Sequence, residues 1–197
     1  MSFHEDHRSM QESRGTRKLA DRVYKVTLRT EFTTEDIVFI EARNMFFLAT
    51  AGPDGQPDCS YKGGAPGFVR VVGPSTLVFP DYDGDGTLRS LGNILANPKI
   101  GMTIIDFDTQ ERLRINGTAE VSSDPMDFPG AKGTVKITAH AIFPKCPRYI
   151  HAGAGRELSE YTPKPSIQQP TPNWKHMSLF NDALPDGDPA AGDVRED

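Results

Sequence analysis

The chain lacks the features that mark secreted and membrane proteins. Its 197 residues include only two cysteines, Cys59 and Cys146, which are too few and too far apart for a disulfide framework. No apolar run approaches the roughly 18 residues that a membrane span needs. Residues 1–22 are polar and carry no apolar signal segment. These absences predict a cytoplasmic protein that does not enter a membrane.

Positive charge is also scarce. The chain has 22 Lys and Arg against 27 Asp and Glu, a net charge of -5, which argues against non-specific binding of nucleic acid. No Gly-x-Gly-x-x-Gly or Walker motif occurs, so the usual nucleotide folds are not indicated. The five histidines and two cysteines have no metal-ligand spacing, and no metal site is predicted.

Both ends of the chain look loose. Residues 1–20 mix charges without periodicity, and residues 184–197, "LPDGDPAAGDVRED", are acidic and rich in Pro and Gly. We therefore predict a flexible N-terminal segment over 1–20, one folded domain with a C-terminal arm over 21–183, and a disordered acidic tail over 184–197.

The segments between these ends are predominantly of β type. Two short helices are predicted at 33–44 and 87–98, the first capped by Thr33 or Thr34 and the second stopped at Asn97-Pro98. Hairpin turns separate the strand-like segments, which lie at 45–51, 58–62, 67–73, 75–80, 99–108, 111–123 and 133–144. Six or so strands at such short intervals predict a small antiparallel β-barrel with flanking helices.

The stretch "DYDGDGTLRS" (81–90) has the alternating carboxylates and the sixth-position glycine of an EF-hand loop. Position 12 of such a loop would be Gly92, which has no carboxylate, and position 9 would be Arg89. The preceding "TLVFP" is typical of a strand, whereas an EF-hand needs a helix there. Calcium binding is therefore not predicted.

Two interpretations of this loop remain open. A solvated turn is slightly favoured, since Asp and Gly are common in turns. Alternatively, the loop leads into a helix whose first-turn N–H groups bind a phosphate, with hydroxyls from Thr87 and Ser90 and the guanidinium of Arg89.

Other segments could supply further cations. Strand alternation puts Ser60 and Lys62 on one face, and likewise Arg112 and Arg114. An ordinary solvated face explains the arginine pair equally well. Gly63 begins a glycine-rich turn to which other groups can approach closely.

Three segments in this order resemble the flavin-mononucleotide-binding split barrels related to pyridoxamine 5'-phosphate oxidase: "FFLATAGPDGQPDCSYKGG", "TLVFPDYDGDGTLRSLGNILANPKIG" and "RLRINGTAEV". The resemblance covers about residues 33–150. It implies a mainly β fold, a six-stranded antiparallel split β-barrel with short flanking helices. It also implies a bound flavin mononucleotide (FMN) at the interface of a homodimer.

The resemblance also assigns roles to residues. Lys62 matches the lysine of the family's Arg-x-x-x-x-Lys strand, Arg89 and Ser90 match an Arg-Lys pair at the phosphate-binding helix start, and Arg112 matches a polar residue near the flavin ring. Pro57 replaces the strand's arginine. The cofactor-binding residues that we predict are Ser60, Tyr61, Lys62, Gly63, Thr87, Arg89, Ser90, Asn93, Arg112, Cys146, Arg148, Tyr149 and Trp174.

Two members of that set have strong structural alternatives. Cys146 could be a low-pKa thiolate beside Arg148 and Tyr149, but an inert buried thiol is the commoner case. Trp174 could cover a flavin or simply anchor the C-terminal arm. Cys59 alternates with Ser60 and is predicted to lie in the core.

The function implied is that of an FMN-dependent oxidoreductase, exchanging hydride or electrons with a reduced nicotinamide or another small substrate, with its catalytic residues unknown. The C-terminal arginine and histidine that bind substrate in the oxidases have no counterpart in "PNWKHMSLF" (172–180). Two alternatives stay open: a flavin-binding protein for storage or sensing, and a related barrel that uses deazaflavin or haem.

Overall fold

Seven β-strands form one antiparallel sheet in the computed structural model, which describes residues 3–82, 86–144, 146–155 and 170–195. The strands are β1 (Met45–Ala51), β2 (Pro57–Gly63), β3 (Arg70–Gly73), β4 (Thr76–Tyr82), β5 (Lys99–Ile105), β6 (Arg112–Ser122) and β7 (Ala131–Pro144). Their order across the sheet is β2-β1-β5-β6-β7-β4-β3. The prediction of a mainly β protein is confirmed, and the sheet has seven strands where six were predicted.

Six α-helices and one 3₁₀ helix accompany the sheet among the described residues. They are α1 (Glu5–Ser13), α2 (Arg17–Thr27), α3 (Thr34–Glu41), α4 (Arg89–Ala96), α5 (Ala152–Gly155), the 3₁₀ helix Asn173–His176 and α6 (Ser178–Asn181). Each of these helices is too short or too polar to span a membrane.

The chain divides into two compact units, where the sequence predicts a single domain over 21–183. One unit is Arg29–Cys146, which we call the barrel unit. The other combines Met1–Leu28 with Pro147–Asp197, and we call it the terminal unit. The barrel unit holds the whole sheet with α3 and α4.

The sheet of the barrel unit curls so that distant strands meet. The rings of Phe46 on β1 and Phe79 on β4 pack edge to face with centroids 5.0 Å apart, although three strands separate β1 from β4 in the sheet. Phe46 also stacks on Phe68 at 5.7 Å. This curvature encloses the core, to which the inward residues of β1, β4, β5, β6 and β7 contribute.

A bulge bends the long β6–β7 pair. The register shifts between Asn116 and Gly117, where a Cβ on Gly117 would lie 2.1 Å from the Thr138 carbonyl oxygen. Only glycine allows the strands to approach so closely.

Strand alternation decides which residues of β1 and β2 face the core. Phe46 and Leu48 are buried, and their partners on β2 are Lys62 and Ser60. Cys59 and Tyr61 lie on the opposite, outer face together with Phe47. The prediction that Cys59 is a core residue is wrong: Cys59 is exposed, because the inward positions belong to Ser60 and Lys62.

The N-terminal part of the terminal unit is helical, whereas the sequence predicts a flexible segment over 1–20. Helix α1 is capped by His4, whose side chain accepts from the His7 N–H, and Glu5 and Asp6 occupy its first turn. Acidic residues there interact favourably with the helix dipole. Such capping stabilises a short polar helix that has no apolar periodicity to reveal it.

Residues 184–195 form hydrogen-bonded turns, although their composition predicts disorder. The side-chain amide of Asn181 donates to the carbonyls of Lys175, Ala190 and Asp193 at 2.6–3.3 Å and accepts from the Gly192 N–H. Ala190 is fully buried. One buried asparagine thus orders turns that lack a hydrophobic pattern.

Candidate functional site

Helix α4 begins without the capping that its neighbour α3 has. Thr33 and Asp36 form a reciprocal capping box at the start of α3. At the start of α4 the N-cap residue is Leu88, in the left-handed conformation at φ 50, and the first turn holds no acidic residue. The N–H groups of the first turn of α4 therefore have no side-chain cap from Leu88, as in helix starts that bind anions.

A strand leads into this helix start, as the sequence predicts. Strand β4 ends at Tyr82 and α4 begins at Arg89. Residues 83–85 lie outside the described residues, so the carboxylates of Asp83 and Asp85 are not placed.

Two side-chain hydrogen bonds fix α4 against the sheet. The hydroxyls of Ser60 on β2 and Ser90 on α4 lie 3.0 Å apart. The amide of Asn93 donates to the hydroxyl of Thr50 on β1 at 3.0 Å. Ser90 is only 5% exposed, so its hydroxyl serves mainly to join the helix to β2.

A pocket of about 240 Å³ opens between β2, β4 and the start of α4, and we call it the helix-start pocket. Its polar lining comes from Tyr61, Lys62, Asp81, Tyr82 and Ser90. The apolar lining and Gly63 complete it: Leu48, Gly63, Phe68, Phe79, Pro80, Leu91 and Val135. The ring of Tyr61 covers Gly63, since a Cβ there would lie 2.9 Å from the ring.

A second pocket of about 220 Å³ lies on the outer face of β1, β5 and β6, and we call it the outer-face pocket. It is lined by Phe47, Ala49, Gly101, Thr103, Arg112 and Arg114. Phe47 meets Tyr61 of the helix-start pocket edge to face, with ring centroids 6.1 Å apart. The predicted shared face of Arg112 and Arg114 is thus present.

Lys62 and Arg89 differ from three arginines of the barrel unit that are paired with carboxylates. Arg29, Arg43 and Arg70 each form a salt bridge with an aspartate. Lys62 and Arg89 have no carboxylate within salt-bridge distance among the described residues, and Lys62 is half-buried. A half-buried ammonium favours a nearby anion.

The fold brings part of the predicted cofactor set together. Ser60, Lys62 and Ser90 surround the base of α4 with Tyr61, Gly63 and Asn93, while Thr87 and Arg89 are exposed at its start. Arg112 lies on the outer face, where its guanidinium donates to the Cys146 carbonyl at 3.3 Å.

Three predicted residues belong to the terminal unit, and their role at a cofactor stays a prediction: Arg148, Tyr149 and Trp174. Trp174 packs edge to face on Phe180 with centroids 5.4 Å apart, which agrees with an anchoring role.

Sequence reasoning missed several lining residues. Phe47 was hidden in the apolar run "MFFLATA", whose one polar residue, Thr50, is buried and so does not reveal which residues face outward. Tyr82 and Phe68 reach the helix-start pocket only because the sheet curls. For Tyr82, the one signal available in the sequence was its position as an aromatic residue within the acidic stretch 81–90.

The sequence model for pyridoxamine 5'-phosphate oxidase matches residues 33–159. A putative pyridoxamine 5'-phosphate oxidase from Lactobacillus delbrueckii is 25% identical, with 58% of this chain and 95% of that chain covered and a TM-score of 0.46. HupZ from Group A Streptococcus is 22% identical over 57% of this chain and 94% of that chain, with a TM-score of 0.46.

The haem storage protein HutZ from Vibrio cholerae is 14% identical over 58% of this chain and 95% of that chain, with a TM-score of 0.40. No curated protein matches the chain.

Proposed function

Because the chain belongs to the pyridoxamine 5'-phosphate oxidase family, we propose that it is a flavoprotein that binds FMN in the barrel unit. The observation that carries the proposal is the combination of two features. The N-cap residue of α4, Leu88, provides no side-chain cap, and the cations Lys62 and Arg89 have no carboxylate partner among the described residues. In a chain of net charge -5, such cations support an anionic ligand.

The residues present fit the phosphate of FMN. The first-turn N–H groups of α4 and the guanidinium of Arg89 supply donors, and Lys62 supplies a second positive charge on β2. The oxidases have a phosphate-binding arginine at the position of Pro57. Proline has no charged side chain, so this contact is missing here, and Pro57 is exposed at the start of β2. Ser90 stands where the family has a lysine in its Arg-Lys pair. A lysine would not simply replace Ser90 here, because the Ser90 side chain is buried against Ser60.

The proposed activity is FMN-dependent hydride or electron transfer. FMN supplies the redox chemistry when bound, and the protein anchors and orients it. We propose a reduced nicotinamide or another small organic molecule as the electron donor. Oxidation of pyridoxamine phosphate is not proposed, because the family's C-terminal substrate residues have no match in 172–180.

We further propose that the protein acts as a homodimer. Tyr61 on the edge strand β2 is 62% exposed and Phe47 beside it is 36% exposed. Two exposed aromatic rings on one sheet face suit burial against a second copy.

Storage or sensing of flavin, and binding of deazaflavin or haem, are the competing functions. Haem iron is usually held by His, Cys, Met or Tyr. The described residues that line the two pockets include no His, Cys or Met, but Tyr61 and Tyr82 line the helix-start pocket. The cations around the start of α4 support a flavin phosphate, and the absorption spectrum decides between flavin and haem. Turnover separates an enzyme from a storage protein, since only an enzyme cycles between a donor and an acceptor.

The test is an absorption spectrum of purified protein, repeated after incubation with FMN and gel filtration. We expect retained flavin bands and bleaching by a reduced nicotinamide. A haem or deazaflavin spectrum would mean that the protein binds that cofactor instead of FMN. A protein that retains no cofactor would refute the proposed function. Retained FMN that no nicotinamide dinucleotide or other small reductant reduces would support storage or sensing.

A further inference from the structure

We propose that the outer-face pocket binds the carboxylate of a flat, anionic substrate, and that Arg114 is the residue that anchors it. This inference rests on the proposed function, since a substrate there would serve the flavin chemistry. The lining residues described for the anion site all belong to one copy of the chain, and one of them, Phe47, also borders the proposed dimer interface. The occupancy of the anion site can therefore be measured with and without FMN.

The charge of the pocket is the first observation. Arg112 and Arg114 are both on its wall, and neither has a salt-bridge partner among the described residues. The nearby acidic side chains are engaged elsewhere: Asp106 pairs with Arg43, and Glu111 accepts a hydrogen bond from Thr109 at 3.0 Å. Two guanidinium groups on one wall, without a carboxylate partner in the described part of the chain, can bind an external anion.

Both guanidinium groups are held in place by neutral partners. Arg112 donates to the Cys146 carbonyl at 3.3 Å. The guanidinium of Arg114 lies over the ring of Phe143, 5.6 Å from its centroid, which is within cation–π distance. These contacts orient the groups and leave N–H donors for a ligand. The planar fork of an arginine suits a carboxylate.

The floor of the pocket favours a flat ligand. In the register of the sheet Ala49 lies opposite Gly101, and Thr103 lies between Phe47 and Arg114. These small side chains leave the sheet surface open, and Phe47 stands at the edge as an aromatic wall. A volume of about 220 Å³ suits a single ring with its substituents.

Gly101 keeps this floor open. A Cβ there would lie 3.4 Å from the Asn116 side-chain nitrogen and 3.7 Å from the Ala49 Cβ, so the strand itself can accept a side chain. Replacement by valine would fill the pocket without a backbone clash. This residue therefore offers a test that leaves both arginines in place.

The experiment is isothermal titration calorimetry of the full-length protein with benzoate and with benzamide, which has a similar ring but no charge. Arg114→Gln is compared with Lys99→Gln, a matched loss of one charge on the neighbouring strand β5 outside the pocket. We expect benzoate to bind at least about tenfold more tightly than benzamide, because benzamide has no negative charge and cannot form a charge-assisted hydrogen bond with a guanidinium. Arg114→Gln and Gly101→Val should each abolish most of that binding, and Lys99→Gln should not.

Equal binding of benzoate and benzamide, or benzoate binding unchanged by both Arg114→Gln and Gly101→Val, would overturn the inference. If Arg114→Gln does not fold, Gly101→Val decides the outcome. All titrations are made with FMN-free and FMN-loaded protein. If the protein does not retain FMN but binds benzoate in a way that depends on Arg114, only the proposed function is refuted. If it retains FMN but does not prefer benzoate to benzamide, only this inference is refuted.

Discussion

At the scale of single residues, Lys62 on β2 and Arg89 at the start of α4 are the cations proposed for the phosphate, and neither has a salt-bridge partner among the described residues. We expect Lys62→Ala and Arg89→Ala each to weaken FMN binding by about 1–3 kcal/mol, because each removes a charge-assisted hydrogen bond to the phosphate. Lys99→Ala removes an exposed cation of β5 and should leave the affinity unchanged. Fluorescence titration of FMN measures all three, and unchanged affinity in both test variants would place the phosphate elsewhere.

Alternation along a strand made part of this site predictable from sequence. Ser60 and Lys62 share a face in the sequence pattern and in the structure. Alternation alone could not decide which face points inward, and Cys59 was therefore misplaced. The partner strand decides: Leu48 and Phe46 are buried, and the residues opposite them on β2 share their side of the sheet.

Arg114 and Ser90 show two further limits of sequence reasoning. A strand pattern places Arg114 beside Arg112, but an unpaired arginine cannot be told from a paired one before the acidic residues have been placed. Ser90 was assigned to the phosphate, and its burial against Ser60 depends on how α4 docks on the sheet. Both facts belong to tertiary structure.

At the scale of elements, local signals predicted the helices that have a strong start or stop. Thr33 and Asp36 form the capping box of α3, and α4 ends before Asn97-Pro98. Helices α1 and α2 contain no fully buried residue. Without a buried stripe, their charged sequences resemble disordered segments.

The β6–β7 bulge gives a prediction on backbone packing. Gly117→Ala should destabilise the protein by more than about 2 kcal/mol, because its Cβ would meet the Thr138 carbonyl at 2.1 Å. Gly92→Ala is the matched control: its Cβ meets nothing within 4 Å, and alanine in a helix should stabilise by about 0.5–1 kcal/mol. Chemical denaturation of the FMN-free variants measures both effects, and similar stability changes for the two would contradict this account of the bulge.

The terminal unit contains an acid-sensitive ion pair between Lys175 and Asp188. Burial of Asp188 alone would raise its pKa, but the hydrogen bonds from the Lys175 ammonium and the Ala190 N–H hold that pKa below its ordinary value. A lowered pKa in the folded state means that the ionised carboxylate stabilises the unit above about pH 4, the ordinary range of an aspartate. This contribution is lost as the pH falls through the folded-state pKa.

Asp188→Asn should therefore reduce the free energy of unfolding by about 1–3 kcal/mol at pH 7, since it leaves Lys175 without its charged partner. The difference from the natural protein should shrink below about pH 4, where the unfolded-state carboxylate becomes protonated. Trp174, the only tryptophan, lies in the same unit and reports unfolding by fluorescence. Asp186→Asn is the control, since it removes one negative charge at an exposed position. An equal loss of free energy of unfolding in both variants would contradict a specific Lys175–Asp188 ion pair.

At the scale of the whole molecule, the decisive contacts join residues far apart in sequence. The Phe46–Phe79 contact closes the curl of the sheet, and it depends on the order of the strands, which no local pattern specifies. The ordered series of motifs did indicate this topology, because a family resemblance carries tertiary information that periodicity lacks. The pockets follow from the curl, so their lining was only partly predictable.

The proposed homodimer gives a prediction for the whole assembly. Tyr61→Lys places a charge among the exposed rings of the outer face and should shift the protein from dimer to monomer, since an unpaired charge within an apolar interface is strongly unfavourable. Val72→Lys is the control: Val72 is 52% exposed on β3, the opposite edge strand of the sheet, and its substitution should leave the dimer intact. Sedimentation equilibrium of both variants and the natural chain distinguishes the cases. A natural chain that is monomeric, or a dimer that survives Tyr61→Lys and dissociates with Val72→Lys, would refute assembly through this face.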